Sequence, residues 1–184
     1  MAVVTAGTPG ARRLSARVAV VVVLAVAAGL VFVERTYRAL EIELAGLLLR
    51  LVTSSGVHVV SERETVYFGL SGDNPLGLRM TPECSSVFLL IPLLLVTAAM
   101  LWFRPQNALR LAVTLAISAV AVILVNQLRI LAIVGLVNWL GVSRGYYWGH
   151  TLLGSLVSVI GGAVALVLFV WLATRKPKAK ATRP

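Results

Sequence analysis

Apolar and polar positions alternate along this chain in long blocks rather than at short periods. The runs 18–33, 84–103, 108–125 and 151–173 are almost free of charge, Arg110 near the start of the third being the exception. At about 1.5 Å per helical residue, each has roughly the length that crosses about 30 Å of hydrocarbon. A thirteen-residue apolar segment at 130–142 contains Asn138 and is short for a span, so it reads as re-entrant or interfacial. Between the first two runs, Tyr37, Leu40, Leu44, Leu47, Leu48 and Leu51 recur at helical spacing with Arg38, Glu41, Glu43 and Arg50 among them. That pattern predicts an amphipathic helix over 35–52 lying on a membrane surface. Residues 57–60 and 65–70 are β-prone and predict a hairpin, and Ser71-Gly72-Asp73-Asn74-Pro75 is turn chemistry. There is no internal repeat, and only the Lys/Ala/Pro tail is low in complexity.

Composition agrees with the blocks. Of 184 residues, 59% are hydrophobic and 13% charged, far from the roughly one quarter charged of soluble domains. The net charge of +10 would suggest nucleic acid in a soluble protein, but its distribution points elsewhere. All seven acids (Glu34, Glu41, Glu43, Glu62, Glu64, Asp73, Glu83) lie within 34–83, with five arginines. Ten further basic residues cluster at Arg12, Arg13 and Arg17, at Arg104 and Arg110, and in the tail from Arg175. With four spans, these three clusters share one side, and the positive-inside bias makes that side cytoplasmic. Nucleic acid therefore drops out as a partner, and membrane lipids take its place.

The expected fold class is an all-α polytopic membrane protein with four transmembrane helices, a re-entrant or interfacial segment and a small extracytoplasmic loop region. The expected division is a cytoplasmic tail (1–17), a first span (18–33), an extracytoplasmic helix and hairpin (34–83), a three-span membrane core (84–173) and a basic cytoplasmic tail (174–184). Ala25-Val26-Ala27 offers a signal-peptidase pattern, but cleavage there would leave only seven apolar residues, so an uncleaved anchor is expected.

Three polar residues depart from the pattern. Cys84, the single cysteine, follows Thr81-Pro82-Glu83, which reads as an N-cap and first turn of a helix. Free backbone N–H groups and the helix dipole there favour a thiolate. Arg129 has no acid near it in sequence, and counting from residue 108 places it about 30 Å up its helix, at the outer boundary. Asn126 lies on the same face three residues earlier, as expected of a polar pocket wall rather than a snorkelling arginine. His150 opens the last span after Tyr146, Tyr147 and Trp148, again at the outer boundary. Four spans thus bring a thiol, a guanidinium and an imidazole to one layer, the parts needed for acyl transfer. A zinc site is disfavoured, since Cys84, His58 and His150 fall short of four ligands, and no cofactor is expected. A non-catalytic membrane scaffold, in which these residues only pack or snorkel, is the alternative.

At these residues the chain resembles the exosortase/archaeosortase family of membrane-embedded cysteine transpeptidases. The resemblance rests on Glu83-Cys84-Ser85-Ser86, on Asn126-Gln127-Leu128-Arg129-Ile130 and on Gly149-His150, in the family's order, over about residues 80–172. It implies Cys84 as nucleophile with Arg129 and His150 as partners. It also implies exported substrates bearing a C-terminal sorting signal (motif, apolar span, basic tail), a prokaryotic inner membrane, and a site on its extracytoplasmic side. Two features differ from the family pattern: Ser85-Ser86 replaces the glycine common after the cysteine, and one span rather than several precedes it. Archaeal relatives use an arginine in place of the last histidine, which keeps Arg144 as a secondary candidate behind His150.

Overall fold

The computed structural model describes residues 9–175 apart from 55, 72–74 and 105–107, with side chains from residue 14 onward. The basic tail beyond Arg175 and the centre of the 71–75 turn lie outside the described residues, as do the side chains of Arg12 and Arg13. Helix α1 (Pro9–Phe32) is followed after a single residue by α2 (Glu34–Val52). Strands β1 (Val57–Val60), β2 (Thr65–Phe68) and β3 (Leu76–Arg79) come next, then a tight 3-10 turn (Pro82–Cys84) and α3 (Val87–Phe103). Helix α4 (Ala108–Leu140), the short α5 (Val142–Tyr146), a wide π-helical stretch (Tyr147–Gly154) and α6 (Ser155–Thr174) complete the chain.

Three helical stretches are long and apolar enough to cross a membrane, Leu14–Phe32, Ala108–Leu140 and Val142–Thr174, and α3 is a shorter apolar helix of 17 residues. Their outward faces carry exposed valines, leucines and aromatics, Val21, Leu109, Val159 and Val167 among them. That is the surface of a polytopic membrane protein, where lipid rather than protein covers the apolar side chains.

Of the segment 130–142, expected as re-entrant or interfacial, residues 130–140 form no separate re-entrant element. Helix α4 runs unbroken for 33 residues, about 50 Å at 1.5 Å per residue and well beyond the hydrocarbon thickness. Its upper turns are apolar because they face protein. Ile130, Ile133, Val134 and Val137 pack with Ile42, Ala45 and Leu49 of α2 and with Val66 and Phe68 of β2, forming one buried core. A second core at the far end joins Val20 of α1, Leu93, Ala98 and Leu101 of α3, Leu111 of α4 and Phe169 of α6. There Arg110 reaches across and donates two hydrogen bonds to the Leu172 carbonyl (3.1 and 2.7 Å), covering an acceptor at the end of α6.

The predicted helix over 35–52 is present as α2, and of its expected polar face Glu41 is buried while Glu43 and Arg50 are exposed. Glu41, Ile42, Ala45, Gly46 and Leu49 are buried, whereas Leu40, Leu44, Leu47 and Leu51 point outward. The hairpin is present too, in antiparallel register from Val57↔Phe68 to Val60↔Thr65. A third strand, not expected, pairs Thr65 with Arg79 and Phe68 with Leu76. Its sequence, Leu-Gly-Leu-Arg, hides it, because Gly77 breaks the β-prone run. The glycine is required there: a Cβ at residue 77 would come within 2.8 Å of the Tyr67 ring opposite. Buried Glu64 ties sheet to helix by pairing with Arg35 of α2 at 2.9 Å and Arg79 of β3 at 3.8 Å.

Candidate active site

The turn that carries Cys84 is not the first turn of α3. Pro82–Cys84 forms its own 3-10 turn, Ser85 is extended (φ −86°, ψ 145°), and α3 begins only at Val87. Thr81 makes no capping bond to the backbone; its hydroxyl instead lies 3.3 Å from Cys84 Sγ. Support for a thiolate from the N-terminus of α3 is therefore replaced by side-chain donors. The reason is local. Extended Ser85 interrupts the helical backbone between the cysteine and α3, so Cys84 lies outside the first turn of that helix.

Two further partners of the sulfur come from distant elements. Arg129 Nη2 of α4 lies 3.4 Å from Cys84 Sγ, and His150 Nε2, from the π-helical stretch, also lies at 3.4 Å. Both residues grouped with Cys84 from sequence thus reach its sulfur. Arg129 is 6% exposed, so it does not snorkel. Its Nη1 donates to Ser158 Oγ of α6 at 3.0 Å, while its Nε has no partner among the described residues. A fork anchored on one side and facing the sulfur on the other holds its positive charge in a defined direction. His150 is half-buried and its ring packs on Tyr146 with centroids 5.0 Å apart. The wide helical turn carries His150 toward the cysteine, as such insertions frequently do at functional sites. Arg144, the secondary candidate, is exposed on α5.

Glu83 lies beside the thiol and is fully exposed. Its own backbone N–H, the Thr81 hydroxyl, and the charges of Arg38 and His150 hold its carboxyl below the usual value of 4.5. Asn126 is buried as expected, but its Nδ2 donates to Glu41 Oε1 at 3.1 Å rather than to the thiol. Glu41 is the residue that sequence reasoning missed. Placed on the polar side of an amphipathic helix, it is instead 4% exposed, and Ser85 Oγ donates to it at 2.6 Å. The signal that was available is its flanking by Ile42, Ala45 and Leu49 at core spacing.

A cavity of ≈ 20 Å³ adjoins Cys84, Arg129 and His150 beneath Met80 and Ile42, enough for about one water. A second, larger space of ≈ 260 Å³ opens between α3, α4 and α6 along Phe88, Pro92, Val122, Gly162 and Leu166. It is almost wholly apolar, and Ser158, the hydrogen-bond partner of Arg129, is part of its wall.

The chain matches the family model described as transmembrane exosortase (Exosortase_EpsH) over residues 1–177. It belongs to that family. Neither the curated proteins nor the solved structures give a match. Membership in the exosortases makes this a sorting-related membrane protein of a family that generally consists of cysteine transpeptidases. The match also takes in α1, α2 and the sheet, so in this exosortase residues 1–79 and 173–177 fall within the family region too.

Proposed function

We propose that this exosortase is a cysteine transpeptidase or peptidase acting on the C-terminal sorting signal of exported proteins. The observation that carries the reading is the approach of Arg129 Nη2 and His150 Nε2 to Cys84 Sγ, each at 3.4 Å. In this reading the thiol proton passes to His150 Nε2, and the thiolate attacks a peptide carbonyl carbon. Arg129 stabilises the negative oxygen of the tetrahedral adduct, as preorganised donors do. The adduct collapses by breaking the C–N bond, His150 returns the proton to the leaving amine, and a thioester remains on Cys84. An incoming amine, or water, then gives its proton to His150, attacks the thioester carbonyl and releases the thiolate. An amine acceptor yields an anchored protein; water yields a cleaved one.

The apolar space between α3, α4 and α6 supports delivery of a membrane-embedded substrate segment, since its wall includes the serine that holds Arg129. The cavity at Cys84, with room for about one water, then requires local displacement near Met80 as the scissile peptide arrives. We place the site at the extracytoplasmic surface of a prokaryotic inner membrane, with both termini cytoplasmic, on the strength of the basic clusters.

Two experiments test this. In cells making the cognate substrate, Cys84→Ala, Arg129→Ala and His150→Ala each stop processing; undiminished processing in Cys84→Ala removes the nucleophile, and loss at Arg144→Ala but not His150→Ala moves the acid–base role. On intact cells a membrane-impermeant maleimide labels Cys84, and protection that persists until permeabilisation reverses the orientation.

A further inference from the structure

We infer that Glu41 is a positioning residue, a carboxylate from α2 that clamps the Ser85–Ser86 segment and thereby sets Cys84 against Arg129. The inference deepens the proposed thiol chemistry and rests on it.

Glu41 is buried, and no cation lies within ion-pair distance of it among the described residues. Its partners are neutral. Ser85 Oγ donates to Oε2 at 2.6 Å, the Ser86 backbone N–H approaches both oxygens at 3.3 and 3.2 Å, and Asn126 Nδ2 donates to Oε1 at 3.1 Å. Its own carbonyl accepts from Gln127 Nε2 at 3.3 Å. A carboxylate buried without a countercharge is a poor source of stability, because desolvation is costly and neutral donors return only part of it.

What the arrangement provides is geometry. Ser86 stands at the start of α3, so Glu41 caps that helix from another element, with its charge at the positive end of the dipole. Tyr37, one turn earlier on α2, lies 2.7 Å from Ser86 Oγ, so α2 holds the two residues after Cys84 at two points. Burial raises the Tyr37 phenol above its usual 10.0, against the opposing hydrogen bond to Ser86 and with the nearby Glu41 adding to the rise. The same Glu41 carboxylate binds Asn126, three residues before Arg129 on α4. One side chain therefore touches both elements whose separation sets the 3.4 Å contact between sulfur and guanidinium. The two serines that stand where the family commonly has a glycine are the groups the clamp uses.

The test is the ratio of Cys84 alkylation rates with iodoacetate and iodoacetamide, on the full chain in lipid nanodiscs at one fixed pH. An adjacent guanidinium favours the anionic reagent, so the ratio reads the Cys84–Arg129 contact without a substrate. Glu41→Gln is expected to lower it roughly tenfold, the equivalent of one charge-assisted hydrogen bond at about 1.4 kcal/mol, with partial recovery in Glu41→Asp. Loss of the negative charge alone would raise the ratio. A rise, or an unchanged ratio beside a lower melting temperature, overturns the inference. Should Glu41→Gln not fold, Ser85→Ala must lower the ratio in the same direction, and no change there overturns it equally. Arg129→Ala separates the two readings. If it leaves the ratio at the wild-type value, the thiol–guanidinium pairing itself fails; if it lowers the ratio and Glu41→Gln does not, only the role of Glu41 is lost.

Discussion

Gly154 and Arg129 are in close register: a Cβ built on residue 154 would sit 3.0 Å from both Nε and Nη2 of the guanidinium. The π-helical stretch ends at that glycine, so the missing side chain is the room into which Arg129 extends between Ser158 and Cys84. Gly154→Val is expected to push the fork off the sulfur and to lower sorting-signal cleavage about 10²-fold, the usual result of a misplacement near 1 Å. The measurement is the rate of substrate processing at matched membrane levels of enzyme. Wild-type processing in Gly154→Val would mean that the guanidinium adapts and its placement is not critical.

Lysine is not expected to replace arginine at 129. Arg129 meets Ser158 with Nη1 and Cys84 with Nη2 at the same time, and a single ammonium has no such fork. Cleavage in Arg129→Lys should fall about 10²–10³-fold, as for loss of a preorganised donor. Retention of more than a tenth of the activity would show that charge alone suffices.

The exposed Glu83 gives the folded state a pH dependence of known direction. Its carboxyl is held below 4.5 in the folded chain, first by its own backbone N–H and then by the Thr81 hydroxyl. The unfolded chain therefore takes up the proton at higher pH. The stabilisation is complete above 4.5 and is lost as pH falls through the depressed value. Thermal melts of wild type and Glu83→Gln should differ at neutral pH and converge in acid. A gap that widens on acidification would refute the assignment.

Two glycines, buried Gly145 and exposed Gly135, should respond in opposite ways to alanine. At residue 145 a Cβ would fall on the Leu136 carbonyl and the Val137 Cα, backbone of α4 that has no freedom to move. Gly145→Ala should cost about 1–3 kcal/mol by overpacking. At Gly135, inside α4, nothing lies within 4 Å, and alanine should stabilise by up to about 1 kcal/mol through helix propensity. Unfolding in detergent measures both, and equal effects would contradict the packing of α5 against α4.

Much of the site was legible because its residues are exceptions to a local pattern. A lone cysteine at the head of an apolar run, an arginine inside another and a histidine before a third stand out in any reading of this chain. The role of Glu41 was not legible, because an acid among leucines at helical spacing looks the same whether it meets water or Ser85. The continuation of α4 past residue 129 was hidden for a related reason. Lipid and protein interior are both apolar, so Ile130 to Val137 give the same signal in either setting.

What the sequence by itself determined was the number of apolar runs, the sorting of basic and acidic residues along them, and the identity and order of Cys84, Arg129 and His150. These depend on composition within a few turns, which hydropathy reads directly. The tertiary structure decided the rest. It turned α2 so that Glu41 faces inward, separated Cys84 from α3, raised the upper turns of α4 into a protein core, and brought Arg129 and His150 from two distant elements to 3.4 Å from the Cys84 sulfur. Those outcomes depend on which distant surface each helix packs against, and a buried polar group is held only where that surface supplies its partners.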